Sequence, residues 1–408
     1  MKSKVASRHI LVLFAAFFIA QLLAGCALIK KAPPVTKKPA LRRIRTSAYP
    51  AFADNLNYDG LAHGILQSLT YLKKLPSTRQ FKFGNDLYTT DHLIRSLTYF
   101  QNFIETKPPL KDLNKFITSN YRIYRSVGSN KAGNVLFTGY YEPALQGSLN
   151  KSDEYRYPVY ARPDDLLTID LSLFSSRYND EKIIGRHTGQ IVVPYYDRAQ
   201  IAQNDFLEGI AAQLVWVKDQ VDLFFLQIQG SGKINLDNGE SINVHYHTDN
   251  GRPYRSIGKL LIEKGKVERS QMSMQKIRAY LKDHPSEVED ILNYNLSYVF
   301  FKIEKNGPLG YLEVILSPGR SIALDRRLFP PAALAFIETK LPLVNGDGEI
   351  QTWTDLTRFV LNQDTGGAIR GPGRADLFWG DGPYAEIAAG HMRHHGKLYF
   401  LVLKPDQF

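Results

Sequence analysis

The chain has 408 residues, 44% of them apolar, a single cysteine and a formal charge of +11. That length can bury a sizeable core, and one cysteine forms no internal disulfide, so packing must hold the fold together. Ten of the 51 basic residues fall in residues 1–46, which hold no acidic residue. The remainder carries 41 basic against 40 acidic residues, a balance that excludes a nucleic-acid partner for the folded body.

In chain order, Lys2, Lys4 and Arg8 come first, and residues 10–24 are then almost wholly apolar. That stretch has the length of a secretory h-region rather than of a membrane span. It ends in Leu23, Ala24, Gly25 and Cys26, which resemble the lipobox of an exported lipoprotein. On that reading residues 1–26 are a signal peptide ending at the lipid-bearing Cys26, and more than one acyl chain there gives stable anchoring. Ala27, next in the mature chain, resembles the residue of lipoproteins sorted to the outer membrane. An uncleaved anchor helix or an ordinary secretory signal is the alternative. Residues 27–47, with clustered lysine, arginine and proline, read as an extended, solvated tether.

Residues 61–75 place Leu61, Ile65, Leu69 and Leu72 on one helical face. Residues 90–106 do the same with Leu93, Leu97, Phe100 and Ile104, and stop before Pro108 and Pro109. A third helix is expected at 110–120. The texture then turns to strands at 134–141 and 223–229, and to a hairpin over 232–247 around Asp237, Asn238 and Gly239. A helical interlude follows. Pro253 marks a first helical position and Gly265 a stop; Ser273 opens a helix ending before Pro285; Ser286 and Glu289 form a capping box for a short third. Strands resume at 297–303, 311–316, 359–363 and 398–403. Many short strands with few regular strand–helix alternations predict a mainly β fold, barrels or sandwiches with flanking helices.

The densest chemistry lies in residues 363–380, where five glycines stand among eighteen residues and two aspartates flank the loop. Asp364 ends an apolar run, and Asp376 precedes Leu377, Phe378 and Trp379. Burial and a second carboxylate raise a carboxyl pKa, which suits a general acid. Two turn aspartates beside glycines account for the same residues. Asp364, Thr365 and Gly366 also resemble the aspartic-protease signature, but that chemistry needs two such motifs and the chain has one. His245, His247, His391, His394 and His395 match no common zinc spacing and read as surface and loop histidines.

Four ordered segments, 137–143 (FTGYYEP), 226–234 (LQIQGSGKI), 250–258 (NGRPYRSIG) and 297–301 (SYVFF), together resemble the membrane-bound lytic murein transglycosylase A family. The C-terminal part resembles the domain named for three aspartates, with Asp325, Asp364 and Asp376 in those positions. Leu296, the segment 247–249, and His394 with His395 depart from the family pattern, at the groove rim and at entry to a C-terminal strand.

The resemblance implies a discontinuous double-psi β-barrel formed by residues 48–143, with N-terminal helices, and 302–408. It implies a smaller β domain inserted at 144–301, with a groove between the two. It implies cleavage of the β-1,4 bond between N-acetylmuramic acid and N-acetylglucosamine in peptidoglycan, without water and with 1,6-anhydro ends as product. Asp376 falls on the catalytic acid, Asp364 and Asp325 on supporting carboxylates, and Thr138, Tyr140, Gln229 and Ser231 on groove-lining segments. Tyr140, Tyr141, Phe300 and Trp379 are candidates for stacking on sugar faces, and no cofactor or metal is implied. The expected partners are glycan strands, the outer membrane through the anchor on its periplasmic side, and proteins of cell-wall synthesis or division. A lysozyme-type hydrolase and a non-catalytic peptidoglycan-binding lipoprotein are the alternatives.

Overall fold

The computed structural model describes residues 39–407 except 180, 204 and 205. The expected signal peptide, Cys26 and most of the expected tether lie outside the described residues.

Six strands close on themselves. In chain order they are Val135–Glu142 (β1), Ser321–Ala323 (β2), Leu334–Val344 (β3), Ile350–Asp364 (β4), Arg374–Asp381 (β5) and Arg393–Leu403 (β6). Around the barrel the order is β6, β3, β4, β2, β5, β1 and back to β6. β2 runs parallel to β4 and β1 parallel to β5, while the other barrel pairs are antiparallel. Closure removes exposed strand edges, and Phe137, Ile322, Phe336, Phe359, Leu377 and Phe400 are buried in its core. The barrel is discontinuous, as expected: β1 precedes a long insertion and the other five strands follow it.

Only the first half of β6 pairs with β1. Its second half takes Tyr121–Ser126, onto which Leu41–Arg43 adds a further strand. This corrects the expected tether at its C-terminal end. Ala40 and Leu41 are buried apolar residues, so the folded body begins before residue 48. Helices Leu61–Leu72 and Thr90–Ile104 bury the faces read from the sequence, and Phe100 meets Phe359 of β4 with ring centroids 5.1 Å apart. The first helix stops at Leu72, short of 75.

Between β1 and β2, a six-stranded sheet runs in the order Val299–Glu304, Ser241–Asp249, Ser231–Leu236, Ala144–Ser148, Gln213–Val217, Tyr157–Tyr160. A bridge from Ala161 to Phe301 brings its last strand back to its first. A three-stranded sheet (Leu166–Asp170, Lys182–Thr188, Ile191–Pro194) and several short helices complete the insertion.

Four local expectations fail for identifiable reasons. Residues 223–229 form the end of helix Gln220–Gln229, not a strand. Asp219 caps it by accepting the N–H groups of Val221 and Asp222, and Gly230 ends it at φ +85°. Phe224, Phe225 and Leu226 are all buried, so the run carries no helical polarity to read. Residues 311–316 form a turn with one bridge, Leu309 to Ile315, rather than a strand. Pro253 does not open a helix: Ile257–Glu263 starts four residues later, capped by Ser256. No side chain caps Val288–Asn293, because Ser286 lies inside a preceding 3-10 turn, Pro285–Glu287. The β3–β4 hairpin, paired from Leu334–Leu361 to Val344–Ile350, was legible only at 359–363, since the outer half of β4 is largely solvated and mixes polar with apolar residues. Helix Gly382–His391, rich in alanine, had no predicted counterpart.

Candidate active site

Three neighbouring barrel strands position the two loop aspartates. Ala323 of β2 is paired with Asp376 of β5 on one side and with Asp364 of β4 on the other. The two acids therefore stand two strand spacings apart, about 10 Å between Cα atoms, too far to share one proton as a protease dyad does. A bulge sits in β4 at this point: Ile322 pairs with Asn362 and Ala323 with Asp364, leaving Gln363 extra. The fully buried Gln363 turns towards helix Leu61–Leu72, donating to the Gly64 carbonyl at 2.8 Å and to Ser68 Oγ at 3.0 Å. Asp364 is thereby left at the cleft.

Asp376 is 19% exposed at its side chain. In the parallel register with β1 it faces Thr138, whose hydroxyl donates to Asp376 Oδ1 in a short contact. Arg374, two residues earlier and so on the same strand face, donates through Nη2 to Thr138 Oγ1 at 3.1 Å and lies 3.5 Å from Asp376 Oδ1. Burial raises the Asp376 pKa above the usual carboxylate value, while Arg374 and the Thr138 hydroxyl pull the other way. The carboxyl is thus neither free in solvent nor locked in a tight ion pair.

Asp364 accepts the Tyr140 hydroxyl at 2.8 Å and the N–H groups of Tyr311 and Thr365 at 2.9 and 2.8 Å. Burial outweighs these bonds and, with the Asp376 charge, pushes its pKa to about 6. Tyr140 is raised well above an ordinary tyrosine, first by burial and then by Asp364 and Asp376, so it stays a neutral donor. Thr138 and Tyr140 can share one face because Gly139 between them allows close backing. A Cβ on Gly139 would lie 2.5 Å from Trp379 Nε1 and 2.8 Å from Ala389 Cα.

Asp364 and Asp376 open on a cleft of about 580 Å³ between barrel and insert, within the range of small-ligand sites. Gln229 and Ser231 line it, with Gln229 Oε1 also accepting the Tyr141 N–H at 3.1 Å. Thr138 and Tyr140 stand behind the acids rather than in the lining. Asp325 is set apart from the cleft. Fully buried, it accepts Arg327 Nε and Nη2 at 2.9 and 2.8 Å and the Gly371 N–H at 2.9 Å. Against the upward pull of burial, these bonds hold its pKa at about 2.

The proposed stacking aromatics are corrected. Tyr141, Phe300 and Trp379 are buried in the core, and the cleft instead presents Tyr246, Tyr254 and Tyr311, all partly exposed. His245, expected at the surface, is buried in a strand and lines the cleft. The sequence reading also missed Arg374; two-residue strand spacing from Asp376 was the signal that pointed to it.

Comparison with known proteins agrees with this architecture. The MltA specific insert domain matches residues 136–302 and the 3D domain residues 320–402. The chain is 32% identical over 283 residues to membrane-bound lytic murein transglycosylase A of Escherichia coli strain K12, covering 68% of each chain. It is 32% identical over 282 residues to that of Vibrio cholerae, again 68% of each. Among solved structures, a membrane-bound lytic murein transglycosylase from Agrobacterium tumefaciens matches with a TM-score of 0.71 at 27% identity, over 89% of this chain and 98% of that one. Escherichia coli MltA with bound chitohexaose matches with a TM-score of 0.67 at 26% identity, over 90% and 96%. With its closed barrel, its insert and its paired cleft acids, the chain belongs to the membrane-bound lytic murein transglycosylase A family.

Proposed function

We propose that this lytic transglycosylase cleaves peptidoglycan glycan strands with Asp376 as acid and then base. The observation that carries the proposal is a cleft carboxyl whose pKa is raised by burial, with one hydroxyl donor, Thr138, and one longer contact, 3.5 Å, to the Arg374 guanidinium. The bound chitohexaose of the Escherichia coli relative supports a glycan as occupant.

Asp376 gives its proton to the oxygen leaving C1 of N-acetylmuramic acid. The C1–O bond breaks and the ring becomes oxocarbenium-like. The C6 hydroxyl of the same sugar attacks C1, and its proton passes to the Asp376 carboxylate, restoring the acid. The product is a 1,6-anhydro end. Because the nucleophile belongs to the substrate, its effective concentration replaces a positioned water, so a second catalytic carboxylate is not required. Thr138 orients the Asp376 carboxyl, Asp364 holds Tyr140 and the Tyr311 backbone at the cleft edge, and Asp325 ties down the loop that ends at β5.

Asp376→Asn is expected to keep glycan binding and lose turnover by roughly 10²–10⁴-fold, the range of general-acid contributions. Near-normal turnover ends the proposal. Product mass separates the alternatives: anhydro ends are one water lighter than hydrolysed ends, and binding without soluble product from sacculi marks a non-catalytic protein.

We further place the chain at the outer membrane, facing the periplasm, through lipid on Cys26. The relatives are named membrane-bound, and no described helix is long and apolar enough to cross a membrane. Cys26→Ala is expected to remove a metabolic lipid label and shift the protein to the soluble fraction; unchanged labelling rejects the anchor. We also propose a division into a barrel domain of residues 48–143 and 302–408 and an insert of residues 144–301; in its support, the insert's strands pair only with one another among the described residues, the last of them running on to Glu304.

A further inference from the structure

One stretch of the cleft wall carries polar groups that the reaction above does not use. Arg198 opens the short helix Arg198–Gln203 and is 6% exposed. Its Nε donates to the Asn295 carbonyl at 3.0 Å and its Nη2 to the Ser297 carbonyl at 2.6 Å. The guanidinium lies over the rings of Phe224 and Tyr298, 4.7 and 5.2 Å from their centroids. Its titratable neighbours are two tyrosines, Tyr298 and Tyr254, and among the described residues no carboxylate pairs with it. A guanidinium has five N–H donors, and hydrogen bonds to described residues use two of them here. Burial lowers the Arg198 pKa to about 10, so the group remains a cation at neutral pH, with no counter-charge among the described residues.

Gln227 shares Tyr298 with it as a neighbour and lines the same cleft. It follows Phe224 by one turn on the same face of helix Gln220–Gln229, and Arg198 covers the Phe224 ring. Gln227 is 4% exposed, and neither atom of its amide has a hydrogen-bond partner in acceptable geometry, the Tyr298 hydroxyl being its polar neighbour. A buried amide with both ends unpaired is uncommon in folded proteins and demands an explanation. Both side chains line the cleft.

We propose that Arg198 and Gln227 form a subsite for a carboxylate carried by the glycan strand. The inference rests on reading the cleft as a peptidoglycan groove. A carboxylate accepts two donors in one plane, which a guanidinium edge and an amide nitrogen supply, and it provides the missing negative charge. In peptidoglycan this chemistry has two sources: the lactyl carboxyl of peptide-free N-acetylmuramic acid and the free carboxylates of a stem peptide. A chitin oligosaccharide has neither.

The test measures binding to the full chain in the Asp376→Asn background, so that no strand is cut. The probes are chitohexaose, a peptide-free N-acetylmuramic acid–N-acetylglucosamine strand of equal length, and the same strand with stem peptides. Gln227→Leu is the primary variant, because neither atom of its amide has a hydrogen-bond partner in acceptable geometry and only the Tyr298 hydroxyl stands near it as a polar neighbour. Arg198→Lys is the second; it keeps the charge and loses the planar fork. Each is expected to weaken a carboxylate-bearing strand roughly tenfold more than chitohexaose, the scale of one lost directed contact. Selective loss with the peptide-free strand assigns the lactyl group; loss confined to the peptide-bearing strand assigns the stem peptide. An equal change with all three probes, or none, overturns the subsite. The fate of Asp376 is read separately: a wild-type chain releasing no anhydro product sinks the catalytic reading whatever the binding ratios are.

Discussion

Arg374 sets the working range of Asp376. Its Nη2 reaches Thr138 Oγ1 at 3.1 Å and stands 3.5 Å from the carboxylate, so it favours the ionised form without clamping it. Protonation of Asp376 starts the reaction, so the rate falls as pH rises through its pKa. Burial has raised that pKa, and Arg374 with Thr138 opposes the rise. Arg374→Gln removes the cation, and the alkaline limb of the kcat profile is expected to move to higher pH. A limb that stays in place or moves down in a pH series of anhydro-product release rejects this role. Asp364 is a different case. Three hydrogen bonds fix it, and its value of about 6 follows from burial and the Asp376 charge.

At the scale of elements, the loop between β4 and β5 decides where Asp376 sits, and Asp325 holds that loop. Its carboxylate joins the Gly371 N–H to the Arg327 guanidinium from a fully buried position. The folded pKa of about 2 lies below the unfolded value near 3.9. The bonds therefore contribute stability above about pH 4, and that contribution is lost as pH falls towards 2. Asp325→Asn is expected to cost about 2 kcal/mol at neutral pH, the scale of a charge-assisted hydrogen bond. Urea unfolding of both chains should show the gap narrowing between pH ~4 and ~2; equal stability at pH 7, or a gap indifferent to acid, contradicts it.

For the whole molecule, one buried ion pair ties the N-terminal segment to the barrel. Arg320 meets Asp54 through Nη1 at 2.6 Å and Nη2 at 2.9 Å, with both side chains essentially unexposed. Arg320 also donates to the carbonyls of Asp59 and Phe359, and Asp54 accepts the Phe359 N–H. Residues far apart in sequence are thus joined across β2 and β4. Asp54→Ala strands a buried guanidinium and is expected to destabilise the chain by about 3–5 kcal/mol. A denaturant midpoint close to that of the wild type would show that the pair is not what joins them.

Local order and motif spacing determined a good deal without any structure. Helices Leu61–Leu72 and Thr90–Ile104 follow from apolar periodicity and the 231–249 hairpin from its Asp-Asn-Gly turn, whereas Asp364 and Asp376 read as turn aspartates by residue type and are singled out by the ordered motifs of the family resemblance. The helices and the hairpin depend on neighbours within a few residues. Tertiary structure decided the rest. It made 220–229 a helix, because an all-round apolar run takes whichever form its burial allows. It drew Tyr141, Phe300 and Trp379 into the core, separated Asp325 from the other two aspartates, and brought Arg198 and Gln227 to the same cleft. Each of these depends on strands and helices that are distant in sequence meeting at a particular register. Pairing energy and desolvation are properties of that meeting, and no single segment carries them.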